Sequence, residues 1–150
     1  MKKLLTAAAL IAAIFTASAN NDVIIPFDQL PAPAKNFLQN RARDTKTVKI
    51  EMDAKDVTST YEVDMASGVE FEFDSKGYWS KMDYKGKSMP ERLIPTKIKA
   101  YLDAKYPNQK VKEIKKEFNV RNQLSGYEVE LMNGVDLKFN KDEAFIRIDK

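Results

Sequence analysis

The chain has no histidine and no cysteine. The commonest general base, the commonest metal ligand and the thiol nucleophile are therefore all missing. Without a thiol there is also no disulfide to hold an exported chain together, and no place for a cysteine-linked lipid. Serines occur, but neither a Gly-x-Ser-x-Gly elbow nor a phosphate-binding glycine-rich loop is present. An enzyme built on this chain would have to work with carboxylates alone.

Excess charge of one sign is lacking too. The formal balance is +3 over 150 residues, which gives no concentrated positive surface for nucleic acid. Long hydrophobic runs are limited to Leu4 to Phe15, which falls short of the ~20 residues a spanning helix needs. Lys2 and Lys3 precede that run and Ala17-Ser18-Ala19 follows it, so residues 1–19 read as a secretory signal cut after Ala19. Its removal takes Lys2 and Lys3 away and lowers the formal balance from +3 to +1. The mature chain is predicted to be periplasmic or secreted, with no membrane span.

What the chain does have is a stretch written twice. Tyr61 to Asp74 recurs without a gap as Tyr127 to Asn140, keeping Tyr61/Tyr127, Glu62/Glu128, Val63/Val129, Gly68/Gly134, Val69/Val135 and Phe73/Phe139 in step. Apolar and polar residues alternate on either side of the glycine, the pattern of a hairpin with one buried and one wet face. For the apolar residues to share a face, Met65 must oppose Val69, Val63 must oppose Phe71 and Tyr61 must oppose Phe73. That leaves a three-residue loop in which Gly68 takes a positive φ, and Gly134 does the same in the second copy.

The flanking segments repeat as well. Leu30-Pro31 and Ile94-Pro95 each open a helix, the first burying Ala34, Phe37, Leu38 and Ala42, the second Ile98, Tyr101 and Leu102. Pro107 stops the second helix. Val48, Ile50 and Met52 alternate as a half-buried strand, Tyr78 to Tyr84 and Val111 to Val120 add others, and Ala144, Ile146 and Ile148 are expected to face the core in the last one. Ile24 to Phe27 reads either as an edge cover or as a mobile arm. The expected fold is α+β: residues 20–150 as one domain of two tandem repeats, 28–84 and 91–150. Each repeat holds one helix and about four antiparallel strands, with the helices on one face of a combined sheet and the other face open to solvent.

On that open face Glu62 is set opposite Glu72 and Asp64 opposite Glu70, where like charges repel. Continued across Asp74 to Gly77, the register brings Lys81 beside Glu70; in the second hairpin Glu128 faces Lys138, and Arg147 lies beside Asp136. Mixed charge of this kind is what a soluble sheet face carries. No metal set is assigned, because carboxylates on adjacent strands are expected to splay along the surface, and no cofactor is expected. If Ile146 and Ile148 point inward, Phe145 points outward; by the repeat so does Trp79, with Tyr78 inward near Phe73. Each ring either packs over the aliphatic stem of a charged neighbour or anchors a partner. The candidate partner-binding face is thus Trp79, Phe145, Glu62, Asp64, Glu70, Glu72, Lys81, Lys138 and Arg147.

The order Leu/Ile-Pro, helix, Tyr-Pro, strand, Tyr-Glu-Val, glycine turn, Phe-Asp-x-x-Gly resembles the PepSY-like family of exported bacterial proteins. It is carried by Leu30-Pro31, Ile94-Pro95, Tyr106-Pro107, Tyr61-Glu62-Val63, Tyr127-Glu128-Val129, Gly68, Gly134 and Asp74 to Gly77, across residues 28–150. The second unit departs from the pattern, with Asn140 to Glu143 in place of Asp74 to Gly77. The resemblance implies the fold of beta-lactamase-inhibitor-like proteins. The missing catalytic groups and the candidate face point to a non-enzymatic module that binds another envelope or secreted protein, and the resemblance implies that it does so as an inhibitor of a cell-envelope hydrolase. The alternative is a sensor for a small ligand or divalent cation on the acidic hairpin face; a carboxylate-based hydrolase is a third reading.

Overall fold

The computed structural model describes residues 22–43 and 46–149; the signal read at residues 1–19 lies outside them. The described residues form two α-helices and a nine-stranded antiparallel sheet whose strands follow chain order from one edge to the other. The strands are β1 (Val23–Ile24), β2 (Thr47–Met52), β3 (Tyr61–Met65), β4 (Glu70–Phe73) and β5 (Trp79–Asp83), then β6 (Val111–Phe118), β7 (Leu124–Leu131), β8 (Asp136–Asn140) and β9 (Phe145–Asp149). Helix α1 (Ala32–Asn40) connects β1 to β2, and α2 (Thr96–Lys105) connects β5 to β6.

Both helices start behind a proline whose φ is already near the helical value: Pro31 at −58° and Pro95 at −54°. Ala34, Phe37, Leu38 and Ala42 are buried from the first, as are Ile98 and Leu102 from the second. Phe37 meets Phe71 and Phe73 edge-on, and Tyr101 meets Phe139 in the same manner. Of the segment before α1, Val23 and Ile24 pair with Met52 and Glu51 and make the sheet's first edge, while Ile25 is buried.

The hairpins have the predicted register. Tyr61 pairs with Phe73 and Val63 with Phe71; Tyr127 pairs with Phe139 and Val129 with Leu137. Gly68 and Gly134 close the loops at φ +83° and +84°. Pairing continues from strand to strand, so Phe71, Met82, Ile114, Val129 and Leu137 stand in one row across five strands, each no more than 1% exposed. Each such side chain contributes about 1.5–3 kcal/mol by burial. The row crosses the seam between the two halves of the chain, which therefore share one core.

Where the sequence pattern misleads, a β-bulge is the cause. Between Thr47 and Lys49 the pairing with β3 skips a residue, and Val48 turns outward, 67% exposed. A second bulge sets Phe73 opposite Trp79 but Glu72 opposite Lys81, and a third sets Phe139 opposite Phe145 but Lys138 opposite Arg147. One extra residue reverses the facing of everything beyond it. Tyr78 is accordingly exposed rather than inward. Ile148 keeps the expected side, across from the buried Leu137, but on the edge strand it and Ile146 are each 53% exposed, not core residues.

Candidate functional site

The hairpin β3–β4 and its neighbour β2 bring five carboxylates onto one face. Glu51 pairs with Glu62, Glu62 with Glu72 and Asp64 with Glu70. The carboxylates converge instead of splaying, because the three strands present them in adjacent rows. One oxygen each from Glu51, Glu62 and Asp64 lies within 4.8 Å of the others, and Glu62, Glu70 and Glu72 make a second such trio. Glu62 belongs to both.

The surrounding cations serve the rim of this cluster and leave its centre. Lys81 Nζ lies 3.2 Å from Glu70 and 3.4 Å from Glu72, Lys85 Nζ lies 2.8 Å from Glu70 and from Asp83, and Lys49 Nζ lies 2.9 Å from Glu51. Ser59 donates its hydroxyl to Glu72. Among the described residues no cation reaches Glu62. Burial, then the charges of Glu70, Asp64, Glu72 and Glu51, push its pKa up from the ordinary value. Glu70 shows the opposite result: burial also opposes its charge, but Lys85 and Lys81 outweigh it and hold its pKa down.

The second hairpin carries the same pattern with one exchange. Glu128 and Asp136 stand where the first has Glu62 and Glu70, but Lys138 replaces Glu72. Lys138, 8% exposed, hydrogen-bonds Glu117 and Glu128 and lies 3.8 Å from Asp149. Burial works against its charge, yet the two hydrogen-bonded carboxylates prevail and raise its pKa. The second hairpin thus supplies its own ammonium to a cluster that the first leaves without one.

Two candidate residues stand elsewhere. Trp79, across from the core residue Phe73, points its ring at Tyr127 with centroids 6.3 Å apart. Phe145 stacks on Tyr101 of α2, centroids 4.6 Å apart. Neither belongs to the face that carries Glu62 and Glu72, and the bulges are the reason. They also move Lys81, which stands across from Glu72 while its Nζ touches Glu70, and Arg147, which pairs with Lys138 and reaches Asp149 at 3.6 Å instead of Asp136. Glu128 opposite Lys138 is as predicted.

The family described as "Putative beta-lactamase-inhibitor-like, PepSY-like" matches residues 14–58 and 59–147. The chain belongs to the PepSY-like family. Three solved structures are similar to this PepSY-like chain. One, from Bacteroides vulgatus, is described as a "putative periplasmic protein" of the DUF2874 family; it is 31% identical, with 89% of this chain and 100% of that chain covered and a TM-score of 0.77. A "putative calcium-regulated periplasmic protein" from Bacteroides thetaiotaomicron is 34% identical over the same shares, with a TM-score of 0.76. A third, again from Bacteroides vulgatus and described as a "putative periplasmic protein of unknown function", is 32% identical over 86% of this chain and 99% of its own, with a TM-score of 0.73. No curated protein matches.

These descriptions name no reaction. Among the described residues of the PepSY-like chain no helix is long and apolar enough to cross a membrane. Sequence reasoning passed over Glu51 and Lys85 as members of the acidic face. Glu51 was legible, since it alternates with Ile50 and Met52 on a strand next to the hairpin. Lys85 was not: it follows β5 in a tight turn at φ +50°, and only that turn brings its ammonium back to Glu70.

Proposed function

We propose that this chain is an exported, non-enzymatic binding module whose acidic sheet face takes a divalent cation at Glu62. The observation that carries it is the contrast between the hairpins: Lys138 fills the carboxylate cluster of the second, and Glu62 in the first has four carboxylate neighbours and, among the described residues, no cation. A hard cation with oxygen ligands meets that need. A relative 34% identical is described as calcium-regulated, and two others as periplasmic, which supports both the ion and the compartment. In this reading the chain is two copies of one unit. Both helices cover the face of the Phe71 to Leu137 row, supported by the Phe37 and Tyr101 contacts, and the Glu62 face is left to solvent.

Thermal melting tests this directly. Calcium raises the melting temperature of the native chain by the equivalent of about 1–3 kcal/mol at saturation, and sodium chloride of equal ionic strength does not. Glu72→Lys, which copies the second hairpin, melts higher than the native chain without calcium and gains nothing from it. Glu62→Gln shifts the same way to a smaller degree. The pH dependence has a definite sign: a folded-state pKa raised above the unfolded one makes the charged Glu62 destabilising. The calcium-free chain therefore gains stability as pH falls through that raised pKa, and calcium removes the gain. A calcium response that survives Glu72→Lys, or that sodium chloride reproduces, defeats the assignment.

The second reading is protein binding through the same face, as an inhibitor of a cell-envelope hydrolase. It is favoured by the family's beta-lactamase-inhibitor-like description and by the charged, half-buried surface of β2 to β4. An envelope protein captured by the native chain is then lost with Glu62→Lys/Glu70→Lys and kept with Trp79→Ala. The reverse result puts the surface elsewhere.

A further inference from the structure

The seam between the two halves holds a second site of opposite charge. Strands β5 and β6 pair only from Asp83↔Glu113 to Lys81↔Lys115. Beyond that last pair they part, with Trp79 on one side of the gap and Lys116 on the other. Lys116 Nζ lies 4.0 Å above the centre of the Trp79 ring, and Tyr127 forms the neighbouring wall. A cleft of about 290 Å³ opens there, closed on its far side by Ile94, Pro95 and Thr96 at the start of α2 and by Arg41 at the end of α1.

Lys116 is half-buried, and among the described residues no carboxylate pairs with it. Burial lowers its pKa, with Asp74 acting weakly against this. Contact with the Trp79 face returns only a fraction of what desolvating an ammonium costs. Arg41 has no ion pair among the described residues either; its Nη2 donates to the carbonyl of Arg92 at 2.5 Å. The one carboxylate lining the cleft, Glu143, is engaged, accepting the Lys97 backbone N–H at 3.0 Å and so capping α2. Next to Trp79, the buried hydroxyl of Ser80 has no hydrogen-bond partner among the described residues and lines an adjoining cavity that Lys116 also borders.

We propose that this cleft binds a small organic monocarboxylate, its carboxylate between Lys116 and Arg41 and its apolar body against Trp79, Tyr127 and Pro95. Two cations against one engaged carboxylate leave a single positive charge to neutralise, which selects a monoanion. Trp79, Tyr127 and Pro95 give an organic body partners that a bare inorganic ion does not use, within a lining that is otherwise mainly polar. The cleft's own lining includes none of the five clustered acids, with Glu72 reaching only the adjoining cavity, and its occupancy does not depend on calcium.

Trp79 is the only tryptophan in the chain, so its fluorescence reports on this cleft alone. Benzoate, with benzamide and inorganic phosphate as controls, is titrated into the native chain with and without calcium, and into Lys116→Gln and Lys116→Arg. Benzoate produces a saturable change in the native chain whether or not calcium is present, and binds more tightly than either control. Lys116→Gln weakens benzoate by about 10- to 100-fold, the loss of one charge-assisted hydrogen bond, without changing benzamide. Lys116→Arg restores most of the loss. Far-ultraviolet circular dichroism and a cooperative melt establish that each variant is folded. No saturable response to benzoate, equal binding of benzamide or phosphate, or an undiminished response in folded Lys116→Gln overturns the proposal.

Discussion

Phe139→Ala lowers the stability of the chain by about 3–5 kcal/mol, whereas Phe145→Ala, one strand over, costs about 1 kcal/mol. Phe139 is fully buried, lies across from Tyr127 and meets Tyr101 at 5.4 Å. Removing its ring deletes a large buried surface and leaves a cavity under β8, a strand paired on both sides that has little room to relax. Phe145 is 36% exposed on the last strand and covers Tyr101 from outside, so its loss costs part of one stacking contact. Urea unfolding of the two variants beside the native chain measures both. Equal losses would mean that Phe145 is a core residue and that the bulge between Lys138 and Phe139 is misplaced.

Gly126→Ala destabilises by about 2–4 kcal/mol, although glycine is not needed there for its backbone angles. A Cβ at position 126 would lie 2.4 Å from the carbonyl oxygen of Phe139, and backbone cannot swing aside as the end of a side chain can. Gly126 is paired on both sides, with Glu117 and with Asn140, so neither neighbouring strand is free to move away. Making room shifts β8 against β7 and weakens ladder hydrogen bonds as well as packing. Ser125→Ala, an exposed neighbour, stays within about 0.5 kcal/mol and serves as the control in the same unfolding experiment. A Gly126→Ala variant as stable as Ser125→Ala would show that the two strands are farther apart than described.

The parts of this molecule that were legible are those in which one short segment settles the matter. Alternation around Gly68 and Gly134 determined both hairpin registers, because slipping either by one residue would send Val63 and Phe71, or Val129 and Leu137, into water. Proline followed by helical spacing placed α1 and α2 and their buried faces. The opposition of Glu62 to Glu72 and of Asp64 to Glu70 followed from the same register. Beyond the hairpins the reading failed at each bulge. An inserted residue has no signature of its own, since Trp79-Ser80-Lys81 and Phe145-Ile146-Arg147 look like ordinary alternating strand. The expected placement of Trp79 and Phe145 on the acidic face was lost in this way, although Phe145 is still exposed, and Arg147 moved to a different partner.

The acidic face divides along the same line. That the first hairpin carries four acids where the second carries three and Lys138 is written in the chain, and it needs no coordinates. That Lys85 turns back to Glu70 and that Glu62 is left in the middle came only with the folded sheet. So did the cleft at Trp79 and Lys116, which lie 37 positions apart in the chain. Local pattern decides which face a residue turns to, because burial acts residue by residue along a strand. Which charge meets which depends on strand twist, bulges and turns that place distant segments within a few ångströms, and at that range a shift of one residue decides whether a carboxylate finds an ammonium or another carboxylate.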